Sequence, residues 1–497
     1  MSKRTDASGS GSLGRGLVTA LSLLVVSSAA ALTGVVVARD FGRSTETDGL
    51  LAAYGVFIVI VVAAQAIRVA VLPRLGRAAQ TGQLAGELAG YAAAVLVLAI
   101  PLVLAAELWA NAIGGILTGY QSDAAQQAAA EALRWMVPAA VLQLFAGLAA
   151  SGLAALDDYG TAALGYAAGS IAGLTLIATR ADSDGIVVVG WGAALNSAVA
   201  LLVPASWLAI RALGSRMPPT AVRPRGRPFH ARIGEFAVGA ALPIALQLVY
   251  VVSLPFAAHV GAGATTTFVY GYLAAASVVN IAAGSLGLVT AVPLARGDFS
   301  PAQTVRHVVS ASWLALVIVG AAAGAFAVAG GRVVNAVLGS SYGGEVGSDL
   351  GNLVVALTPW IVAAVGVAIA FPLAFVAGRT RGLPWIALGA LAVQIPLAWA
   401  GVRLLDLNGL ALALACSTIA MLGALLVELG ALAATARGVL AAATLVAAIS
   451  LVAFGPPAAI LGGLGAAVLG LALYVVLFAV ARPRPLVESW HYLRALR

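Results

Sequence analysis

The chain has 497 residues, of which 62% are hydrophobic and only 9% are charged, and its formal net charge is +8. Because soluble domains carry about 25% charged residues, this composition indicates an integral membrane protein without a separate soluble domain. The charges are too scattered for a nucleic-acid surface. The only lysine, Lys3, excludes a P-loop, and the single cysteine, Cys416, excludes an intrachain disulfide.

Fourteen segments are apolar over the roughly 20 residues that a membrane-spanning helix needs. The first contains Ser28-Ala29-Ala30-Ala31, which resembles a signal-peptidase site, but it continues to Ala38 and is interpreted as a retained helix. In chain order the predicted spans are residues 16–38, 49–72, 84–106, 133–156, 160–179, 186–210, 234–257, 264–293, 307–329, 351–377, 383–402, 408–433, 438–455 and 458–480.

The distribution of positive charge predicts the orientation of these spans. With the N-terminus placed in the cytoplasm, 21 of the 27 arginine and lysine residues lie on the inner side. Basic residues favour the cytoplasmic side of a membrane protein. The chain is therefore predicted to be a multi-pass protein of the cytoplasmic membrane with both termini in the cytoplasm. The six outer residues are Arg39, Arg43, Arg134, Arg180, Arg332 and Arg403.

A stretch of sequence recurs after about 220 residues. Residues 38–42, Ala-Arg-Asp-Phe-Gly, lead through an apolar run to Leu72-Pro73. Residues 257–261, Ala-Ala-His-Val-Gly, lead through a similar run to Val292-Pro293. Internal duplication within membrane helices is typical of transporters built from two halves. Further matches at an offset of 220 residues are Gly169 with Gly389 and Ser197 with Ser417.

The duplication predicts the domain organisation. We expect an all-α membrane protein of about fourteen transmembrane helices, arranged as two parallel six-helix repeats followed by two further helices. The basic linker is interpreted as a topology anchor, with docking of anionic lipid head groups or diphosphates as the alternative. The predicted parts are an N-terminal lobe (1–210), a basic, proline-rich cytoplasmic linker (211–232), a C-terminal lobe (233–435), two extra transmembrane helices (436–481) and a basic cytoplasmic tail (482–497).

Polar residues within the spans are the candidates for function, because ionisable groups are costly in a membrane. Glu428, in the twelfth predicted span, is a candidate for ion coupling or for an ion pair. Arg68 lies near the inner end of the second span, where it either reaches the interface or holds a phosphate in the cavity. Neutral polar residues either form interhelical hydrogen bonds or line the cavity: Gln65, Gln143, Asn196, Gln247, Asn280 and Gln394.

The first outer loop, residues 39–48, is dense in charge. Arg39 and Arg43 either contact substrate or face water, and Asp48 either binds substrate or caps the second helix, where the dipole favours a carboxylate. No His-Glu-x-x-His or Gly-x-Ser-x-Gly motif is present, and the four histidines are scattered. The sequence therefore predicts no enzyme, no catalytic residue, no cofactor and no metal site.

The first span and loop resemble a known family. Val-Ala-Arg-Asp-Phe-Gly (residues 37–42), Asp48 before an aliphatic helix, and then Leu72-Pro73 are similar to the opening of the lipid II flippases (MurJ/MviN). These belong to the multidrug/oligosaccharidyl-lipid/polysaccharide flippase superfamily. The fourteen spans, the duplication and the two extra helices also resemble that family, as does the turn at Asp157-Asp158-Tyr159-Gly160.

The resemblance implies a flippase that carries a polyprenyl-linked saccharide from the inner to the outer leaflet by alternating access, with membrane lipids and cell-envelope synthesis proteins as partners. It also implies that the diphosphate meets cations in a cavity between the lobes, and that the polyprenyl tail stays in lipid or follows a groove formed by spans 13 and 14. This chain departs from the family at its cavity arginines. Ser27 and Thr33 occupy the positions in span 1, and span 2 has Val59–Val61. The prediction is therefore a flippase for some polyprenyl-linked saccharide, which includes but is not restricted to lipid II.

Three alternatives remain at the level of sequence. A drug or cation exporter of the MATE type would use an intramembrane carboxylate, for which Glu428 is the candidate. A membrane glycosyltransferase would use the acidic residues Asp40 and Asp48, although it needs no repeat. A scaffold of cell-envelope synthesis would keep the fold without transporting anything, in line with the missing arginines.

Overall fold

The computed structural model describes residues 8–214, 229–294 and 300–495, which are helical apart from short turns. Most of the predicted linker at 211–232 lies outside these ranges. The chain divides into two compact units, Met1–Gln247 and Leu248–Arg497. The first contains α1 (Ser8–Asp40), α2 (Thr45–Gln80), α3 (Leu84–Leu108), α4 (Ala110–Leu117), α5 (Asp123–Ala154), α6 (Tyr159–Asp184), α7 (Val188–Gly214) and most of α8 (Phe229–Ala258).

The second unit contains the end of α8 and eight further helices in its described part. Short 3₁₀ turns at Gly185–Val187 and Ser340–Tyr342 complete the two units. The helices are α9 (Ala264–Leu294), α10 (Pro301–Leu338), α11 (Gly344–Ala356), α12 (Thr358–Val376), α13 (Leu383–Glu428), α14 (Leu432–Ile460), α15 (Leu464–Ala481) and α16 (Arg484–Ala495).

The helices match the predicted membrane spans. Among the described residues, 11 helical stretches are long and apolar enough to cross a membrane. Two of these stretches hold two spans each, since Tyr159–Arg211 contains both α6 and α7 and Leu383–Glu428 contains the two halves of α13. With α9, which is 31 residues long, every one of the fourteen predicted spans has its helix or half-helix. The predicted fold class, an all-α membrane protein of about fourteen spans, is confirmed.

Helix α13 contains a sharp break between its two spans. Asp406 has a positive φ of 49° and Leu405 is also non-helical. Gly401 and Gly409 bring their backbones together at this turn, and a Cβ atom on either glycine would collide with the carbonyl of the other. The break divides α13 into two apolar half-helices of about 20 residues, and each half is long enough to cross the membrane.

The helix boundaries repeat at the same offset as the sequence. Helix α2 begins at Thr45 and α9 at Ala264, and α5 corresponds to α11 followed by α12. The repeats differ in where they are interrupted. Trp109 separates α3 from α4, whereas α10 is continuous, and Leu357 separates α11 from α12, whereas α5 is continuous. Each of these interruptions is present in one copy of the repeat alone.

Helix α5 is the centre of the first unit, and most of its residues are buried. It packs against α2, α3, α4 and α7. Small residues allow these close approaches, as is common between membrane helices. At Gly49 of α2, a Cβ atom would collide with the carbonyl oxygen of Ala125 on α5. The side chain of Gln143 on α5 also donates a hydrogen bond of 3.2 Å to Ser197 Oγ on α7.

In the second unit, α10 occupies a comparable position. It packs against α9, α11, α12, α14, α15 and α16. Tyr250 and Tyr272 stack with ring centroids 3.8 Å apart, and Trp360 lies 4.8 Å from Tyr272. Gln394 on α13 donates a hydrogen bond of 2.7 Å to Ser253 on α8. Interhelical hydrogen bonding, one of the two roles predicted for polar residues in spans, is therefore confirmed for Gln143 and Gln394.

Candidate functional site

The first outer loop is a tight turn between α1 and α2. Gly42 has a positive φ of 59°, which reverses the chain after Phe41. Ser44 is the N-cap residue of α2, and its side chain accepts a 3.1 Å hydrogen bond from the backbone of Thr47. The Thr47 hydroxyl donates in turn to the Phe41 carbonyl at 3.3 Å. The turn therefore fixes the first residues of α2 in place.

Asp48 lies in the first turn of α2 and is only 1% exposed. Its neighbour Glu46 is exposed, so the two carboxylates of this turn have opposite environments. Arg43 is half-buried and Arg39 is exposed. Asp48, Arg39 and Arg43 each take part in a polar interaction within the protein. The loop at the end of this helix pair, residues 39–48, is the densest run of charge in the described sequence, and it contains one buried acid and two arginines.

The remaining predicted site residues lie on other segments of the chain, on α2, α9 and α13. The structure places residues 65–70 on α2, but the side chains of Gln65 and Arg68 lie outside its described part. Asn280 lies on α9 and is exposed, as is Ser277 one turn earlier on the same face. Exposed polar side chains within a transmembrane helix suit a water-filled path better than a lipid-facing surface.

Glu428 is the last residue of α13, before the turn to α14. Its backbone carbonyl accepts a hydrogen bond from Arg379. Its carboxylate lies beside Gly382, at the beginning of the same helix hairpin. This position is at the end of a span, where an acid can reach the membrane interface.

Ion pairs at the beginning of α8 were not predicted from the sequence. Arg232 pairs with Glu87 of α3 at 3.1 Å, and its guanidinium lies 5.3 Å from the centre of the Tyr91 ring. Glu235 pairs with Arg74 of α2 at 2.5 Å. The partners are far apart in the chain, so no local spacing signals these contacts. These two ion pairs join the beginning of α8 to α2 and α3 within the first unit.

A second polar cluster holds the end of α7. Asp158, the N-cap residue of α6, pairs with Arg211 at 3.0 Å and accepts a 2.9 Å hydrogen bond from the Trp207 indole. Burial by itself raises the pKa of Asp158, but hydrogen bonds from Thr161 and Trp207 together with Arg211 outweigh it and lower the pKa below its usual value of 3.8. The carboxylate thus stays charged at physiological pH and fixes Arg211, where the basic linker begins.

A large apolar cavity lies within the second unit. It has a volume of about 950 Å³ and is lined by α10, α12, the second half of α13 and α14. Ligand pockets span roughly 300 to 1,000 Å³, so the cavity is at the upper end of that range. None of its lining residues is charged, and none belongs to α15. Many of its lining residues are small, among them Gly320, Ala323, Gly324, Gly366, Gly423 and Ala443.

The polar groups around this cavity are few. Ser312, Thr358, Thr435 and Ser450 are the hydroxyl-bearing residues of its lining. Ser450 donates to the Gly320 carbonyl at 3.3 Å. The described residues also contain no group of three or more histidine, cysteine or acidic side chains that could hold a metal ion. The chemistry that this cavity offers is therefore the burial of a long apolar group.

Comparison with solved structures identifies the class of fold, which this chain shares with several membrane transporters of known structure. The chain is similar to a structure described as the lipid II flippase MurJ in an inward closed conformation, with a TM-score of 0.72 and 14% sequence identity. The similarity covers 96% of this chain and 100% of that one. The resemblance predicted from residues 37–42 is confirmed at the level of fold.

Two other structures are also similar. An inward-facing multidrug resistance MATE family transporter matches with a TM-score of 0.63 and 16% identity, over 84% of this chain and 94% of that one. A MOP superfamily transporter from Pyrococcus furiosus matches with a TM-score of 0.54 and 16% identity, over 87% and 94% of the two chains. No family model matches the sequence, and neither does any curated protein.

Proposed function

We propose that this protein is a flippase that moves a polyprenyl-linked saccharide, a precursor of cell wall or surface polysaccharide, from the inner to the outer leaflet of the cytoplasmic membrane. The observation that carries this proposal is the apolar cavity of the second unit, in a fold that matches a lipid II flippase over 96% of the chain. A polyprenyl tail is a long hydrocarbon, and each buried methylene contributes about 0.8 kcal/mol.

The cavity suits the tail better than it suits a charged drug. Its wall is formed by α14, one of the two helices that follow the predicted duplication, so it uses a part of the chain beyond the two six-helix repeats. The sequence-based expectation was a groove formed by spans 13 and 14. In the structure α14 contributes together with α10, α12 and α13, and α15 packs against α10 and α14 without lining the cavity.

For the saccharide diphosphate we propose a separate polar path. Moving an unpaired anion through hydrocarbon costs many kcal/mol, so cations have to accompany it. The candidates are Arg39, Arg43 and Arg68, with Asp48 positioning an arginine; Gln65 and Asn280 would offer hydrogen bonds. Since Ser27 and Thr33 stand where the lipid II flippases have arginines, the proposed cargo is not restricted to lipid II.

The alternatives receive less support. An exporter of the MATE type needs a carboxylate within the membrane, and Glu428 lies at the end of α13 beside Arg379. A membrane glycosyltransferase would use Asp40 and Asp48 together, and although Asp40 is exposed, Asp48 is only 1% exposed and cannot reach a donor sugar. A transport-inactive scaffold would have no use for an apolar cavity of this size.

The test is a depletion experiment with the complete chain. Cells are depleted of the protein, and lipid-linked saccharides are quantified on each face of the cytoplasmic membrane by accessibility to an impermeant enzyme or label. We expect one polyprenyl-linked species to accumulate on the inner face, which would also identify the cargo. Unchanged amounts of every such lipid on both faces would contradict the proposal and favour an exporter, for which small-molecule efflux with Glu428→Gln is the next assay.

A further inference from the structure

The C-terminal helix α16 covers a second, polar cavity that the proposed transport path does not use. This cavity has a volume of about 750 Å³ and lies between the beginning of α10, the beginning of α14 and α16. It is separated from the apolar cavity by the packed side chains of Trp313, Leu316 and Val446. Its lining includes Arg306, Ser310, Glu488, Ser489, His491 and Tyr492.

Arg306 and Glu488 are the oppositely charged residues that line this second cavity, and further arginines flank its lining in the sequence. Glu488 is the only acidic residue in the sequences of α10, α14 and α16. Arg306 is exposed and forms no ion pair with a described residue, while its guanidinium lies 4.7 Å from the centre of the Tyr492 ring. Arg437 lies next to Gly438 in the wall, and Arg484 lies next to Pro485. Such a cavity attracts an anion with more than one negative oxygen.

Two side chains offer hydrogen bonds to such an anion. Ser310 is 7% exposed, faces the cavity, and forms no hydrogen bond with another described residue. Its hydroxyl is therefore available to donate a hydrogen bond to a ligand oxygen. His491 donates from Nδ1 to the Val487 carbonyl at 2.8 Å, so its Nε2 donates to an anion in the protonated, imidazolium form of the ring.

The surroundings of the cavity point to a lipid as the source of the anion. It lies where α10 and α14 begin and where α15 has just ended, at one end of three apolar helices. Helix α16 directs Leu486, Ser489 and Tyr492 inward, whereas Val487 and Trp490 are exposed on its other side. An amphipathic helix with an exposed tryptophan typically lies in the membrane interface, at the depth of phospholipid head groups.

We infer that this cavity binds the phosphate head group of an anionic phospholipid, which joins α16 to α10 and α14. The phosphate contacts Arg306, Ser310 and His491, and Arg437 and Arg484 add to the attraction. The acyl chains extend from the interface along the outer surface of these helices. This site goes beyond the proposed transport function, since it requires no cargo and no movement of the protein.

The test measures lipid binding to the purified, complete chain. The protein is reconstituted in nanodiscs or detergent with phosphatidylglycerol or phosphatidylcholine, and bound lipid is counted by native mass spectrometry. We expect tighter binding of phosphatidylglycerol, and about fivefold weaker binding in Arg306→Gln, because one arginine near a membrane surface contributes about that factor. Ser310→Ala removes a single oxygen and should also weaken binding without affecting the folded fraction in gel filtration.

The matched control is Arg403→Gln, because Arg403 also lies over an aromatic ring, that of Trp399, at 4.1 Å but away from the cavity. Its lipid binding should equal that of the unchanged protein. Equal binding of the two lipids, or unchanged binding in both Arg306→Gln and Ser310→Ala, would overturn the inference. Displacement of the bound lipid by excess inorganic phosphate would assign the site to a free phosphate ion instead of a lipid.

Discussion

At the scale of single residues, small side chains set the distance between helices. Gly49 is the clearest example, because the α2 backbone lies directly against Ala125 of α5. Composition alone does not identify it, since the chain contains 57 glycines. What distinguishes Gly49 is a neighbour 76 positions away in the chain, which only the folded structure provides.

We expect Gly49→Ala to destabilise the protein by about 1 to 3 kcal/mol, because the added methyl group overpacks the α2–α5 contact. Gly76→Ala, on the same helix, has nothing within 4 Å of the new Cβ atom. It should be neutral or stabilising by up to about 1 kcal/mol, since alanine is the better helix former. Thermal unfolding of both variants in detergent checks this pair, and equal melting temperatures would contradict it.

Asp48 and Glu46 offer a second comparison within one helical turn. Asp48→Asn keeps the size of the buried side chain but removes its charge, and a charged hydrogen bond is worth about 1.5 to 3 kcal/mol. We expect transport to fall on the order of tenfold or more, with normal amounts of folded protein. Glu46→Gln alters an exposed carboxylate and should leave transport unchanged. Normal transport by Asp48→Asn would remove this residue from the proposed site.

At the scale of elements, the lengths of the apolar segments predicted which helices exist, but they did not predict accurately where each helix begins and ends. Helix α5 begins at Asp123, ten residues before the predicted span at 133, because its polar first turns continue the same helix with Ser122 as N-cap. Helix α11 was not separated from α12. The interruption at Leu357 precedes Pro359, but Pro138 lies inside the continuous α5. Proline alone therefore does not determine where a helix is interrupted.

The ion pairs that join the end of one helix to another helix could not be predicted from the sequence. Nothing in the sequence pairs Glu87 with Arg232, which lies 145 positions further along the chain. We expect a double-mutant cycle with Glu87→Gln and Arg232→Gln to give a coupling free energy of about 1 kcal/mol, because Arg232 is only 11% exposed. The control pair Arg180–Asp184 lies at 3.5 Å on the surface of α6 and should give less than about 0.5 kcal/mol. Equal couplings in unfolding experiments would contradict this ranking.

The apolar cavity supplies a test at the same scale. Gly423 lines it, and a Cβ atom at this position meets nothing within 4 Å. Gly423→Leu should therefore fill the cavity without strain and reduce transport severalfold, since the tail loses part of its site. Gly389→Leu, on the first half of the same helix, also has open space but lies outside the cavity. Transport assays should separate the two variants, and equal activities would show that the tail binds elsewhere.

At the scale of the whole molecule, composition and charge carried most of the prediction. Low charge and fourteen apolar runs predicted a multi-pass membrane protein, and the structure confirms it. The internal duplication predicted the transporter-like fold, which the comparison with a lipid II flippase supports at a TM-score of 0.72. The apolar cavity was less predictable, because the helices that form its wall come from separate parts of the chain.

The predicted orientation leads to a labelling experiment. Cys416 is the single cysteine, so a Cys416→Ala background allows one thiol to be placed at a time. In that background we expect Thr81→Cys to react with an impermeant thiol reagent from the cytoplasmic side and Ser183→Cys from the outer side. Both positions are exposed, Thr81 in the turn after α2 and Ser183 near the end of α6. The reverse pattern would place both termini outside.

The two interruptions at Trp109 and Leu357 have a consequence for the history of the chain. Each occurs in one copy of the repeat, so each was gained or lost after the ancestral gene doubled. Leu357 lies between two residues of the cavity wall, Val355 and Thr358, whereas the corresponding stretch of α5 is packed on nearly all sides. The two copies have thus diverged at this position, where the second copy contributes to a cavity wall and the first is packed. A gene in which one half replaced the other would be expected to encode a folded bundle that had lost its cargo site.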